Sequence, residues 1–199
     1  FSPDGARFAA PAEPSGVTVW DTETGDEVIT LTGHEPKLSG VAFSPDGTKL
    51  AAVSGTTSTP PVWDVETGKL LFTLRGLRAA RAVAFSPDGA LLVSSGYDGT
   101  ARLWDADNGE RRGMIRPDGG VNEAVFSPDG RFIVTGEFDG GVTVWDTGTL
   151  KRMRAFDAHA NAPIQGLAFG PDGMFVTASG DGTAKVWDFD SGEERLTLR

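Results

Sequence analysis

The chain has 199 residues, of which 39% are apolar, 27 are Gly and 12 are Pro, a composition that suits short strands joined by many turns. Its net charge of −10 argues against a nucleic-acid partner, because phosphate binding needs a basic surface. No apolar run is long enough to cross a membrane, and the absence of Cys excludes disulfides and thiolate metal sites. A chain without Cys fits a reducing compartment, so we expect a cytoplasmic protein.

Five copies of one short motif punctuate the chain from its first residue. Phe-Ser-Pro-Asp-Gly begins at positions 1, 43, 85 and 126, and Phe-Gly-Pro-Asp-Gly begins at 169. A second marker, Trp-Asp, begins at 20, 63, 104, 145 and 187. Both markers recur every 41 to 43 residues, and a fixed period of this length is typical of repeat folds.

Each repeat predicts four short strands. The first strand ends on the repeated Phe, and Ser-Pro-Asp-Gly then favours a type I turn, because Pro presets φ at the second position and Gly suits the fourth. The later strands are rich in β-branched and aromatic residues and have no helical periodicity. The clearest are second strands at 91–95 and 132–136, third strands at 100–104, 141–145 and 183–187, and fourth strands at 70–74 and 194–198.

Four-stranded units at a period of about 40 residues describe the blades of a β-propeller. The predicted fold class is therefore all-β. The five blades cover approximately residues 1–32, 38–75, 80–116, 121–157 and 163–199. The first blade lacks most of its inner strand, of which Phe1 remains. Small residues before the repeated Phe, such as Gly40 and Ala82, fit strands crowded around a central channel.

In these motifs the chain resembles the WD-repeat (WD40) propeller family. The Phe-Ser-Pro-Asp-Gly turn, the Asp-Gly-Thr turn, Trp-Asp and the Gly-His before a first strand all match that family. The resemblance implies a ring of about seven blades, closed by a blade that the two termini share. We therefore expect these five units to belong to a larger propeller, or to close through a second copy of the chain as a homo-oligomer.

The resemblance also implies a buried tetrad of His, Ser or Thr, Asp and Trp in each well-formed blade. The last unit supplies all four as a structural tetrad: His159, Thr177, Asp181 and Trp187. The other units are incomplete. The third keeps Ser94, Asp98 and Trp104 with Leu77 near the His position, the fourth keeps Thr135, Asp139 and Trp145, the second keeps Gly33-His34 and Trp63, and the first keeps Trp20.

Two catalytic or metal-binding interpretations compete with a structural one. His, Thr and Asp together also compose a hydrolytic triad, but a hydroxyl in mid-strand that faces a neighbouring sheet favours an internal hydrogen-bond network. The turns at 105–109 and 188–192 begin like calcium loops, yet the Gly falls one position early and no Glu completes them. We therefore expect no cofactor, no metal and no catalytic site.

Three groups of residues differ between the repeats, so the fold does not explain them. An aromatic residue twice precedes the turn Asp, polar residues begin the inner strands at the expected channel mouth, and one loop concentrates Arg in an acidic chain. Exposed aromatic and Arg residues are typical interface anchors. The candidate partner-binding residues are Tyr97, Phe138, Arg75, Arg78, Arg81, Asn122, Glu123 and Gln165.

These patterns predict a non-catalytic scaffold that presents loops to a protein or peptide, as part of a larger regulatory protein. Neither a nucleic acid nor a membrane is an expected partner. Two alternatives stay open. The first is a propeller enzyme or metal-binding propeller that acts through the channel, with Glu123 as its candidate residue. The second is a truncated or engineered fragment without independent function.

Overall fold

The structure is a computed structural model that describes residues 1–12, 16–33, 38–56, 59–77, 79–170 and 173–199. Within these ranges there is no helix of the length and apolarity that a membrane crossing requires. The strands, in chain order, are β1 (Arg7–Pro11), β2 (Val17–Asp21), β3 (Glu27–Leu31), β4 (Leu38–Phe43), β5 (Lys49–Ser54), β6 (Pro61–Asp64), β7 (Leu70–Thr73), β8 (Ala80–Phe85), β9 (Leu91–Gly96), β10 (Ala101–Asp105), β11 (Arg111–Ile115), β12 (Val121–Phe126), β13 (Phe132–Glu137), β14 (Gly141–Asp146), β15 (Arg152–Asp157), β16 (Ile164–Phe169), β17 (Met174–Ser179), β18 (Ala184–Asp188) and β19 (Glu194–Leu198).

These strands form five antiparallel sheets that follow one another along the chain. The first sheet contains β1, β2 and β3, and the other four contain β4–β7, β8–β11, β12–β15 and β16–β19, each with its strands in chain order. We number them sheets one to five. The predicted all-β class with five repeating units is confirmed, and the first described sheet has three strands because no inner strand precedes β1.

The repeated Ser-Pro-Asp-Gly turn is held by hydrogen bonds that recur in four sheets. In sheet two the Gly47 N–H donates to the Ser44 carbonyl at 2.8 Å, as a type I turn requires. The Ser44 hydroxyl donates to the Asp46 carboxylate at 2.5 Å and accepts the Lys49 N–H at 2.8 Å. The serine thereby ties the turn to the start of the second strand. Equivalent Ser–Asp bonds occur at Ser2–Asp4, Ser86–Asp88 and Ser127–Asp129.

The apolar core lies between successive sheets. Each sheet presents a forward face to the next sheet, which in sheet three consists of Val93, Ala101, Leu103 and Ile115. Each sheet also presents a back face to the preceding sheet, which in sheet four includes Phe126, Ile133 and Trp145. Equivalent positions pack together between the other consecutive sheets, with Trp63, Trp104 and Trp187 on the back faces. Every consecutive pair of sheets is therefore joined by an aliphatic surface against a surface that contains Trp.

The first strands of sheets two to five lie side by side in the order β4, β8, β12 and β16. Their closeness explains the small residues of this region, since a Cβ at Gly40 would lie 3.2 Å from Val53 Cγ2 and 3.5 Å from the Arg81 carbonyl oxygen. The equivalent residue of sheet four is Glu123. A carboxyl group therefore stands where the other inner strands carry no more than a methyl group.

Candidate functional site

A continuous chain of hydrogen bonds runs through the four tetrad residues of sheet five. The Trp187 Nε1–H donates to Thr177 Oγ1 at 2.9 Å, and Thr177 Oγ1 lies 2.8 Å from His159 Nε2. His159 Nδ1 lies 2.9 Å from Asp181 Oδ2. Because the threonine hydroxyl already accepts the indole proton, it donates its own proton to Nε2, and the imidazole donates from Nδ1 to the carboxylate. The network thus joins β17, β18 and the loop before β16.

The environment of this network is internal to the protein. Thr177 is 0% exposed and His159 is 1% exposed, so the hydroxyl has no access to a substrate. The Asp181 carboxylate accepts the Thr183 hydroxyl at 2.7 Å, and this bond, followed by the one from His159, lowers the pKa of Asp181 to about 2. A carboxylate that stays ionised and a buried hydroxyl stabilise the packing of a sheet, which is the role that the structural interpretation requires.

In sheet three an arginine takes the place of the missing histidine. Arg102 Nη2 lies 2.7 Å from Asp98 Oδ2, and the two side chains are 9% and 14% exposed. The Trp104 Nε1–H donates to Ser94 Oγ at 2.8 Å, as in sheet five, while Leu77 is buried near the histidine position. The Nε and Nη1 atoms of Arg102 are buried without a hydrogen-bond partner among the described residues, so this ion pair carries a desolvation cost.

In sheet four a glutamate completes the network. Glu137, which is 6% exposed, accepts the Thr143 hydroxyl at 2.6 Å and the Thr135 hydroxyl at 3.5 Å. Thr135 Oγ1 in turn accepts the Trp145 Nε1–H at 2.9 Å. Burial raises the pKa of Glu137 above its ordinary value. The sequence analysis missed both Arg102 and Glu137, although a charged residue inside an apolar strand is a signal of a buried partner.

Sheets two and one depart furthest from the tetrad. In sheet two Ala52 occupies the position of Thr177, and the Trp63 Nε1–H donates to the Thr32 carbonyl at 3.1 Å. His34, the predicted histidine of this unit, lies outside the described residues. In sheet one Trp20 stacks on Phe8 with ring centroids 5.1 Å apart. The polar network is therefore replaced here by a backbone contact and by aromatic packing.

Two of the candidate partner-binding residues, Arg81 and Tyr97, lie in direct contact. Arg81 is the second residue of β8, and Tyr97 directly follows the last residue of the neighbouring strand β9, at the same end of sheet three. The Arg81 guanidinium lies 4.9 Å from the centroid of the Tyr97 ring, and its Nη1 donates to the Tyr97 hydroxyl at 3.0 Å. Tyr97 remains 57% exposed. The contact therefore holds the Arg81 guanidinium against an aromatic ring that is accessible to a ligand.

Glu123 lies beside this pair on the neighbouring strand β12. Burial raises the pKa of Glu123 to about 7, although the Ala124 N–H and the positive charge of Arg81 both act to lower it. The carboxyl is therefore neutral in mildly acidic solution and charged in mildly alkaline solution. We call Arg81, Tyr97 and Glu123 the mouth cluster, since all three lie where the inner strands begin.

Asn122 does not line the surface where the sequence analysis placed it. Its side chain is 3% exposed, and its Nδ2 donates to the Ile164 carbonyl at 2.5 Å. The backbone carbonyl of Asn122 accepts a hydrogen bond from the Ser95 hydroxyl at 3.0 Å. Its short amide thereby reaches the backbone of β16 and bridges sheets four and five. The prediction of a partner contact at Asn122 is corrected to a contact between sheets.

The remaining candidates are scattered. Gln165 and Arg75 are exposed, but Arg75 lines a groove of 750 Å³ between β7 and β11 together with Phe72 and Trp104, away from the mouth cluster. Phe138 is half-buried, and a Cβ at Gly120 would lie 3.2 Å from its ring. Arg78 lies outside the described residues.

The aspartates of the two calcium-like turns bind the protein itself. Asp105 Oδ1 accepts the Asp107 N–H at 3.0 Å, and its Oδ2 lies 2.5 Å from Arg112 Nη2. Asp188 makes the corresponding bonds to Ser191 and Arg195. Within the described part of the chain, no group of three or more His, Cys, Asp or Glu side chains is arranged to hold a metal ion.

Four-stranded antiparallel sheets that pack face to face, each with a Trp at the end of its third strand, define the class of β-propeller blade repeats. The family described as "WD domain, G-beta repeat" matches residues 25–64, 68–105, 112–146 and 150–188. Each match runs from the last strand of one sheet through the third strand of the next. The chain belongs to this WD40 repeat family, as its motifs predicted.

Similar proteins share parts of the chain. An uncharacterized WD repeat-containing protein of Synechocystis sp. is 38% identical over 95 residues, which are 47% of this chain and 27% of that protein. WD repeat-containing protein 1 of Bos taurus is 38% identical over 58 residues, 28% of this chain and 10% of that protein. Eukaryotic translation initiation factor 3 subunit I of Scheffersomyces stipitis is 27% identical over 94 residues, with 47% and 27% covered. The chain thus spans about a quarter or less of these relatives.

Proposed function

We propose that this WD40 repeat chain is a non-catalytic scaffold that binds an acidic protein segment at the mouth cluster. The observation that carries the proposal is the contact between Arg81 and the exposed Tyr97 ring at one end of the strands of sheet three. The other sheets have Ser39, Asn122 and Gln165 at the position of Arg81, so the repeat itself does not require an arginine there.

The chemistry of the pair favours a carboxylate ligand. An arginine has five N–H donors, and the Tyr97 hydroxyl uses one of them, which leaves others for a bidentate contact with Asp or Glu. Because the guanidinium is already ordered by the tyrosine ring, less side-chain freedom is lost on binding. The net charge of −10 opposes an acidic ligand at long range, but at physiological salt charges beyond about 8 Å are screened and the local arginine dominates.

Glu123 makes this binding depend on pH. When its carboxyl ionises near pH 7, the new negative charge competes with an acidic ligand for Arg81. Binding should therefore be several-fold weaker at pH 8 than at pH 6. In Glu123→Gln, which cannot ionise at that position, the difference between the two pH values should shrink.

A selection of peptides from a random library on the 199-residue chain tests the proposal, with dissociation constants of the selected peptides measured by fluorescence anisotropy. We expect the peptides to be rich in Asp and Glu, and Arg81→Ala and Tyr97→Ala each to weaken binding by at least about tenfold. Met153→Ala is the matched control, because Met153 is 59% exposed on the outer strand β15. Binding that survives Arg81→Ala, or peptides without acidic residues, would contradict the proposal.

A further inference from the structure

The forward face of sheet five is exposed, whereas the same face of the earlier sheets is buried. In or directly after the last strand of sheets one to three, the forward-face residues Leu31, Leu74 and Ile115 are 0%, 0% and 3% exposed. The equivalent residue of sheet five, Leu198, is 52% exposed, and Leu196 on the same face is 51% exposed. Val176 and Val186 complete this surface and are half-buried. An apolar patch of this kind marks an interaction surface.

The turn between the second and third strands shows the same difference. A Cβ at Gly99 of sheet three would lie 3.2 Å from the Gly120 Cα of sheet four, and a Cβ at Gly140 of sheet four would overlap the His159 carbonyl of sheet five. The equivalent residue of sheet five is Gly182, and a Cβ there would meet no atom within 4 Å. Both the face and the turn of sheet five are therefore shaped to contact a further sheet.

The complementary surface is present at the other end of the chain. The back faces of sheets two to five each bury a Trp, with exposures between 0% and 9%. In sheet one the back face consists of Phe1, Phe8 and Trp20. Trp20 stacks on Phe8, the Phe1 ring is tilted against Phe8 with the centroids 6.1 Å apart, and Phe1 is 84% exposed. Since Phe1 and Leu198 are both exposed in the same structure, sheets one and five do not cover each other within one chain.

We propose that the forward face of sheet five binds the back face of sheet one of a second copy of this chain. The contact would repeat the aliphatic-against-aromatic packing that already joins each consecutive pair of sheets within the chain. Because the two surfaces differ, the association is head-to-tail, and each added copy covers one free face and exposes one new face. Such an association produces rings or open chains of copies rather than a symmetric two-fold dimer.

The test is the mass of the 199-residue chain in solution, measured by light scattering after size exclusion and by sedimentation velocity across a concentration series. We expect species heavier than the 20.9 kDa of one chain, growing with concentration. Leu198→Glu and Phe1→Glu should each return the mass to that of one chain, since each places a charge on one of the two faces. Met153→Glu, which places the same charge on an outer strand, should leave the association unchanged.

A mixture of the two variants distinguishes the head-to-tail geometry from every other mode. Leu198→Glu keeps an intact back face on sheet one, and Phe1→Glu keeps an intact forward face on sheet five. Together they should form one species of two chains and nothing heavier. A wild-type chain that stays a monomer at the highest concentration overturns the proposal, and so does a mixture that stays monomeric. Because none of these residues belongs to the mouth cluster, this result is independent of peptide binding.

Discussion

Replacing Thr177 by valine should destabilise the protein through the two hydrogen bonds of its hydroxyl. Valine keeps the shape and the strand preference of threonine, so the loss comes from the polar atoms. The Trp187 Nε1–H and His159 Nε2, at 2.9 and 2.8 Å from Thr177 Oγ1, would both be left without this partner inside the sheet. A buried polar group that loses its partner costs about 1–3 kcal/mol, so we expect the free energy of unfolding to fall by about 4 kcal/mol.

Ser94→Ala in sheet three is the matched comparison. Ser94 is also 0% exposed, but its hydroxyl accepts one hydrogen bond from a partner side chain, the Trp104 Nε1–H at 2.8 Å. Because this substitution leaves one buried group without its hydrogen-bond partner instead of two, the free energy of unfolding should fall by about 2 kcal/mol. Equilibrium urea unfolding at pH 7, monitored by far-ultraviolet circular dichroism, measures both losses, provided that the slope of the unfolding free energy against urea concentration is the same in each variant as in the wild type. Equal losses in the two variants, or a loss below about 0.5 kcal/mol for Thr177→Val, would refute the reasoning.

Three further changes have expected outcomes. Gly140→Ala should destabilise the protein far more than Gly182→Ala, and urea unfolding of the two variants measures the difference. Both glycines have positive φ, so either substitution should cost about 1–2 kcal/mol in backbone strain, but only at position 140 would the new Cβ also overlap the His159 carbonyl. Asp98→Asn should cost about 3 kcal/mol by leaving Arg102 buried without its counter-charge, and adding Arg102→Met should recover most of this loss in the same assay. Because the pKa of Glu123 is raised to about 7, ionisation of its carboxyl destabilises the folded state. The stability of the wild type relative to Glu123→Gln should therefore fall by up to about 3 kcal/mol as the pH rises from 4.5 to 7. Melting temperatures of the two proteins that change in parallel across this pH range would contradict the prediction.

The sequence was sufficient to predict the strands because each repeat supplied the same markers. The third strand expected at 183–187 is found at Ala184–Asp188, and the fourth strand expected at 194–198 is found at Glu194–Leu198. Trp-Asp and Ser-Pro-Asp-Gly mark strand ends directly, since their side chains bond to the turn backbone. Small errors at strand ends therefore did not accumulate along the chain.

The buried polar networks could not be predicted in the same way, because they depend on which side chain replaces the tetrad histidine in each sheet. Arg102 and Glu137 belong to strands, whereas His159 belongs to a loop, and the three residues take part in the buried networks of their own sheets. They do not share one position in the repeat, so no fixed sequence spacing identifies them. Asn122 was misplaced for a related reason, since its amide turns inward at a position where Arg81 extends outward. The pairing of Arg81 with Tyr97 joins residues from separate elements, and the sequence analysis named both without linking them.

The repeated turns also determine how the protein responds to acid. Asp46, Asp88 and Asp129 each have a lowered pKa, with the hydrogen bond from the preceding Ser as the first cause in every case. Asp64 and Asp146 in the Trp-Asp turns are lowered in the same way by Thr67 and Thr149. Each contribution is present above the ordinary pKa of an aspartate and is lost as the pH falls through the lowered value. Because the groups are copies of one another, their contributions have the same sign and add to one another. Repetition therefore makes many small surface effects act in the same direction when the solution is acidified.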